Sequence, residues 1–137
     1  MAKTAKDIQT DFYTLLKDSD LAAMVNGIVY RDGFRPRDSK KEDIVIIYSA
    51  GEDDGEIQSG IVALNIYVPD ILLYKNGTMV ENAARTAKIE RAAQEWYESI
   101  RGVMPEYIFR LYNTIHTTAD EDINQHFVVV QVKYRLS

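Results

Sequence analysis

The residues of this chain best able to bind a metal ion are its two histidines. His116 and His126 fall in the two strands of a predicted C-terminal hairpin, near an acidic turn of Asp120, Glu121 and Asp122. Imidazole nitrogens and carboxylate oxygens together can hold a divalent ion. The spacing matches no fixed ligand pattern, and residues of one hairpin need not share a face, so solvated side chains are the ordinary interpretation. We predict no metal ion and no other cofactor.

A second acidic cluster occupies another predicted turn. Glu52, Asp53, Asp54 and Glu56 supply the oxygen ligands that Ca²⁺ and Mg²⁺ prefer, but without the regular spacing of a calcium loop. Most such runs are solvated turns. Because both acidic clusters lie at hairpin tips, we hypothesise that they line the lumen of a ring if several copies assemble with these tips inward.

Positive charge is concentrated in the loop that precedes this hairpin. Its five cations, Arg31, Arg35, Arg37, Lys40 and Lys41, form the strongest basic patch in a chain with a formal net charge of −5. An acidic chain is unsuited to general DNA binding, although a local patch can still contact nucleic acid. A solvated loop is one interpretation. The functional hypothesis is that the loop contacts an acidic surface of a neighbouring subunit.

No pattern of an enzyme active site is visible in the sequence. Gly51 and Gly55 flank carboxylates that would repel phosphate, and Ser49, Ser59 and Ser99 lie in plain strand or helix contexts rather than in a nucleophile elbow. With 0 Cys, the chain can form neither a disulfide nor a thiolate metal site. We predict that the protein is not an enzyme.

Length and composition indicate one domain. The 137 residues suit a single α+β domain over 1–137, with 46% hydrophobic and 27% charged residues as in ordinary globular proteins. Apolar runs are strand-sized, well short of the roughly 20 residues of a membrane span, and the first residues lack the apolar stretch of a secretion signal. We expect no membrane association, and synthesis in the cytoplasm.

Hydrophobic periodicity predicts two short helices, three strands, one long helix and two strands, in that order. Thr4 and Ser19 can cap the first two helices, and Asn26-Gly27 would end the second in a left-handed turn. The alternation typical of half-buried strands falls in the ranges 28–30, 44–50, 57–68, 107–115 and 128–136. The third of these ranges places four apolar side chains on one face: Val62, Leu64, Ile66 and Val68.

The long helix is predicted over 78–101. Thr78 and Glu81 have the spacing of a capping box, an apolar stripe begins at Ile89, and Gly102 and Pro105 end the helix. The resulting fold class is α+β, with a mostly antiparallel sheet of about four to five strands packed on one long helix, and with short N-terminal helices.

The predicted strands are unusually long for so small a domain. Strands of about 12 residues reach roughly 40 Å, about twice the usual length. We hypothesise that the hairpin ends project beyond the core and pair with neighbouring copies. The alternative is that bulges or bends shorten the strands.

The opening of the chain and the order of its later elements form a pattern known from one protein family. The opening consists of Phe12-Tyr13-Thr14-Leu15-Leu16-Lys17, then Asp20-Leu21-Ala22-Ala23-Met24-Val25-Asn26-Gly27, then Ile28-Val29-Tyr30. The 57–68 strand, the long helix and the closing hairpin follow. Nearly the whole chain thereby resembles the tail terminator, or tail-completion, proteins of long-tailed bacteriophages, which join the tail to the head.

The resemblance implies a structural role without catalytic residues. Family members form a hexameric ring that caps the tail tube, stops its growth and presents a surface to the head connector. The expected partners are further copies of the chain, the tail tube protein and the head connector protein, with DNA passing through the ring without specific binding. The expected location is the head-proximal end of the virion tail, after assembly in the bacterial cytoplasm.

Three other interpretations stay open. A different head-tail connector or neck protein, placed beside the portal, would share the structural role. A small metal-dependent enzyme acting on nucleic acid would use carboxylates at a hairpin end. A host binding module would use an exposed aromatic surface formed by Tyr67, Tyr107 and Tyr112.

Overall fold

The computed structural model describes residues 2–137, and this part of the chain contains three α-helices and eight strands. The helices are α1 (Ala5–Lys17), α2 (Asp20–Met24) and α3 (Ala83–Ile100). The strands are β1 (Val29–Arg31), β2 (Ile44–Asp53), β3 (Gln58–Pro69), β4 (Ile71–Leu72), β5 (Met79–Val80), β6 (Tyr107–Leu111), β7 (His116–Asp120) and β8 (Gln125–Leu136). A 3-10 turn, Glu121–Ile123, joins the last two strands.

Six of the strands form one mixed sheet. Its order is β1-β2-β3-β8-β6, and β7 also pairs with β8. β1 runs parallel to β2, whereas the other neighbours in this sheet are antiparallel. The α+β class is confirmed. The expected arrangement was a mostly antiparallel sheet of about four to five strands packed on one long helix, with short N-terminal helices, and the structure differs from it in having a mixed sheet of six strands. The loop 32–43 makes the parallel pairing possible, because it is long enough to return the chain from the end of β1 to the edge of the sheet at which β1 begins.

The helices pack on one face of the sheet. Val62, Leu64, Ile66 and Val68 all point into this core and are at most 1% exposed, as their alternation predicts. Among the side chains that meet them from the helices is Trp96, whose Nε1 donates a hydrogen bond to the Leu15 carbonyl at 3.1 Å. The opposite face of the sheet carries the alternate residues and has no helix over it within residues 2–137.

The long helix begins later than predicted. Its N-cap is Asn82, whose Oδ1 accepts a hydrogen bond from the Arg85 amide at 3.3 Å. The predicted capping box is wrong, because Thr78 belongs to the turn between β4 and β5 and Glu81 instead accepts a hydrogen bond from the Thr86 hydroxyl. The helix has 18 residues and ends just before Gly102, which adopts the positive φ expected of a helix stop.

The two N-terminal caps follow the sequence prediction, whereas the end of α2 does not. Thr4 forms a reciprocal capping box, and the Ser19 hydroxyl accepts a hydrogen bond from the backbone amide three residues later. Gly27 lacks the positive φ predicted for it. Glycine is needed there for a different reason, since a Cβ would overlap the backbone of Glu42 and the side chain of Asp43.

The long strands are paired within their own domain. β3 pairs with β8 over its whole length, from Gln58 opposite Leu136 to Pro69 opposite Gln125. A bulge interrupts β2, and the predicted 107–115 strand ends at Leu111 as β6. β7 begins after that range, at His116, and β6 and β7 pair with different parts of β8. The reason for expecting long projecting hairpins is therefore removed.

Candidate protein interface

Arg35 of the basic loop is bound inside the protein. Its Nε donates to Asp43 Oδ2 at 2.9 Å, and its Nη2 donates to Gln125 Oε1 at 2.9 Å and to the Ser39 carbonyl at 3.2 Å. The guanidinium carbon lies 4.0 Å from the centroid of the Tyr67 ring. The Arg35 side chain is 8% exposed and that of Asp43 is 1% exposed. Arg35 is thus unavailable to a neighbouring subunit and instead closes the loop over one end of the uncovered sheet face.

The other four cations of the loop are exposed. Arg37 lies 3.9 Å from Asp122, and both side chains are largely in solvent, at 77% and 84% exposure, so the pair contributes little to stability. Arg31, Lys40 and Lys41 are also exposed. The hypothesis of a subunit contact through this loop is therefore narrowed to these four residues.

A second, partly buried ion pair lies beside the first. Glu42 accepts two hydrogen bonds from Arg85, at 2.7 Å from Nε and 2.9 Å from Nη2, and Nη2 also donates to the Met24 carbonyl at 2.6 Å. The hydrogen bonds that Arg85 donates to Glu42 raise the pKa of Arg85 above its ordinary value. Sequence reasoning missed this pair, because Glu42 and Asp43 looked like ordinary counter-charges of a basic loop. Each acid instead fixes a different element, Glu42 the start of α3 and Asp43 the loop.

The two acidic clusters lie at opposite ends of the central strands. Glu52, Asp53, Asp54 and Glu56 are at the end where β3 begins and β8 finishes, and Asp120, Glu121 and Asp122 are at the other end. Eleven steps of about 3.3 Å separate these ends by roughly 36 Å. A single end of the subunit can therefore present only one cluster to a ring lumen.

Part of the first cluster shapes its own turn. Asp54 Oδ1 accepts hydrogen bonds from the amides of Ile57 at 2.7 Å and Glu56 at 3.0 Å, and these bonds lower the pKa of Asp54. Asp53 Oδ1 accepts from the amide of Gly55, which has a positive φ of 91°. Asp53 and Asp54 therefore shape the turn, whereas Glu52 and Glu56 form no such hydrogen bonds, and all four residues are exposed.

The two histidines do not meet. His116 lies opposite Val129 and His126 opposite Ala119, so the two rings are on opposite faces of the sheet. Within the described part of the chain, no group of three or more histidine, aspartate or glutamate side chains is arranged to hold a metal ion. His126 instead contacts Asp70 Oδ1 at 2.7 Å through Nδ1 and Glu81 Oε1 at 3.7 Å through Nε2.

Asp70 and Glu81 mark the base of a small hairpin that we call the arm, residues 71–80. β4 and β5 pair with each other in a sheet separate from the main one. Its large apolar side chains are unusually exposed: Ile71 37%, Leu72 61%, Leu73 60%, Tyr74 57% and Met79 40%. The sequence signal for it was an apolar run before Asn76-Gly77, a common hairpin turn.

Two grooves lie elsewhere on the surface. The acidic groove, about 500 Å³, runs between α2 and α3 and carries the carboxylates of Asp18, Asp20 and Glu95 at its edges. The basic groove, about 400 Å³, lies on the uncovered sheet face. It is lined by three cations and apolar neighbours: Arg110, Lys133, Arg135, Ile57 and Ile108.

The three tyrosines proposed as an aromatic binding surface are dispersed. Tyr107 is 4% exposed on the helix-covered side, where its hydroxyl donates to Asp11 Oδ2 at 2.6 Å. Tyr67 lies beneath Arg35 on the opposite face, and Tyr112 is 52% exposed just after β6. They do not form one surface.

Comparison with models of known protein families finds no match, and a search of curated proteins finds no similar sequence. No helix among residues 2–137 is both long and apolar enough to cross a membrane. The functional argument therefore depends on the surfaces described above.

Proposed function

We propose that this chain is a structural protein of the phage virion, a tail terminator that forms a ring on the tail tube, ends tube growth and joins the tail to the head. The observation that carries the proposal is the arm, which exposes five large apolar side chains within ten residues. Apolar patches of this kind mark surfaces that another protein covers. The element order that resembles the terminator family adds independent support.

The mechanism is geometric. Each copy contacts one neighbour through one surface and the other neighbour through a second, complementary surface, and closure of the ring leaves neither surface free for further growth. The tail tube protein binds one side of the ring and the head connector protein the other. The excess of negative charge, −5 per chain, favours passage of DNA through the ring without adhesion.

The first experiment measures native mass by light scattering over a range of protein and salt concentrations. We expect a closed assembly of six copies of the 15.7 kDa chain, whose mass stays constant once it has formed. A strict monomer under all conditions, or a polymer that lengthens continuously with concentration, would contradict the proposal. Electron microscopy of the assembled fraction checks for a central opening.

Two variants extend this test. Replacing Arg37, Lys40 and Lys41 by Ser tests the basic loop as a subunit contact, and weaker assembly with a reduced salt dependence is expected if the loop contributes. Replacing Glu52 and Glu56 by Gln tests the lumen hypothesis. Unchanged passage of DNA through assembled particles would count against that hypothesis alone, because the ring itself would persist.

Binding assays separate the terminator from a neck protein. A terminator ring binds the end of preassembled tail tubes and limits their length, whereas a neck protein binds the portal complex and leaves tube length unchanged. Assembly of tail tubes with and without the purified ring, measured as a distribution of tube lengths, decides between them.

A further inference from the structure

The arm and the acidic groove are complementary surfaces of one chain. We propose that the arm of each copy binds in the acidic groove of the next copy, so that the ring closes through one repeated arm-to-groove contact. This inference rests on the proposed ring and specifies which surfaces form it.

The arm supplies apolar anchors and a single positive charge. Leu72, Leu73 and Tyr74 are each more than half exposed, and aromatic side chains such as Tyr74 are typical anchors of protein interfaces. Lys75 is the only charged residue in the arm and stands at its turn. The arm therefore requires a partner surface that is apolar at its centre and acidic at its edge.

The acidic groove has both properties. Its floor includes the partly exposed Met24 and Ala92 beside the buried Trp96, and its volume of about 500 Å³ is sufficient for one or two side chains. Asp18, Asp20 and Glu95 line the groove together with these side chains, and no cation among residues 2–137 lines it. None of these three carboxylates has an ion-pair partner among residues 2–137.

Charge favours the acidic groove over the basic groove as the binding site for the arm. The basic groove presents Arg110, Lys133 and Arg135 and, among the described residues, no carboxylate, so it would repel Lys75. An acidic or neutral partner suits the basic groove better than the arm does.

An arm-to-groove contact joins two different patches and is therefore head-to-tail. Such a contact produces a ring if its rotation closes and an open filament if it does not. Each copy both donates an arm and receives one, as a ring of identical subunits requires.

Cysteine cross-linking tests the contact directly, because the chain has 0 Cys. Tyr74→Cys places a thiol on the arm, and Ala92→Cys places one on the groove floor. The two variants are mixed in equal amounts and oxidised, with a Tyr74→Cys and Lys133→Cys mixture as the matched control on the basic groove. We expect a disulfide-linked pair in the first mixture at a yield at least roughly tenfold above the control.

A charge exchange tests the same contact without thiols. Lys75→Glu should weaken the association of subunits about two- to fivefold, the range of an exposed ion pair, and a second change, Glu95→Lys, should restore it. Separately, the double variant Leu72→Ser and Tyr74→Ser should lose the assembled species, because it lacks the apolar anchors.

The outcomes separate this inference from the proposed function. If the wild-type chain forms a ring but the Ala92 mixture cross-links no better than the control, or the Leu72 and Tyr74 double variant assembles normally, the arm-to-groove contact is wrong and the ring stands. If the wild-type chain is monomeric under all conditions, the proposed function and this inference fail together.

Discussion

Arg35→Ala should be among the most destabilising single substitutions in this chain. The change leaves the Asp43 carboxylate, 1% exposed, without its cation, although the carboxylate keeps hydrogen bonds from the Ser39 hydroxyl at 2.6 Å and the Ile28 amide at 3.0 Å. Gln125 Oε1 also loses a donor. Removing one partner of a buried ion pair costs about 3–5 kcal/mol of unfolding free energy.

Urea unfolding followed by circular dichroism measures this cost. With a slope of about 2 kcal/mol per molar urea, a loss of about 4 kcal/mol lowers the midpoint by roughly 2 M. Arg37→Ala is the matched control, because this arginine lies two residues along the same loop but is 77% exposed. We expect the control to change the unfolding free energy by no more than about 0.5 kcal/mol.

A double variant separates the buried charge from lost packing. In Arg35→Met with Asp43→Asn, the long apolar side chain can still cover Tyr67 and no uncompensated charge remains, so a large part of the stability should return. A shift for Arg35→Ala no larger than that of Arg37→Ala, or no recovery in the double variant, would refute the assignment of Arg35 as a buried structural residue.

Three further predictions follow from local geometry. His126→Ala should speed amide hydrogen exchange in the arm roughly fivefold, because it removes the side-chain contacts of Asp70 and Glu81 with β8, whereas His116→Ala, on the other face, should not. Gly60→Ala should lower the unfolding free energy by about 1–3 kcal/mol in urea titrations, since its Cβ would overlap the Ala50 carbonyl. Burial and a hydrogen bond to a carboxylate raise the pKa of Tyr107, so the folded state disfavours its ionisation. The contribution of Tyr107 to the free energy of unfolding should be fully present below about pH 10 and should be lost progressively above it. Unfolding midpoints measured from about pH 9 to about pH 11 should therefore decrease, and they should decrease less in Tyr107→Phe.

Local patterns in the sequence predicted the features that depend on neighbouring residues. The Thr4 and Ser19 caps require a hydroxyl and an amide only three residues apart, and both were predicted correctly. The alternation from Val62 to Val68 reports burial on one face and requires no knowledge of which strands lie beside it. The same reliance on neighbouring residues gave a wrong prediction at Thr78, which has the spacing of a capping box but lies in a hairpin turn.

Contacts between distant parts of the chain were not predictable in this way. Gln125 is 90 residues from Arg35, and Arg85 is 43 residues from Glu42, so their side chains read as ordinary surface polar residues until the fold joins them. The parallel pairing of β1 is equally invisible, because a three-residue strand carries no information about its direction. In this chain, a charged loop that is solvated and a charged loop that is closed by a buried ion pair have the same pattern of residues in the sequence.

Within the proposed ring, α3 determines the distance between the arm of a subunit and the acidic groove of the same subunit. The arm leads directly into α3 through Glu81, and His126 fixes both ends of the arm to β8. Ala92 and Glu95, on the second half of the same helix, line the acidic groove. Ala92 and Glu95 lie about 14–18 Å along the helix axis from its first residue, Ala83. Inserting or deleting one residue between Ala83 and Ala92 would rotate the α3 side of the groove relative to the arm by about 100°, and ring closure should be lost even where the subunit still folds.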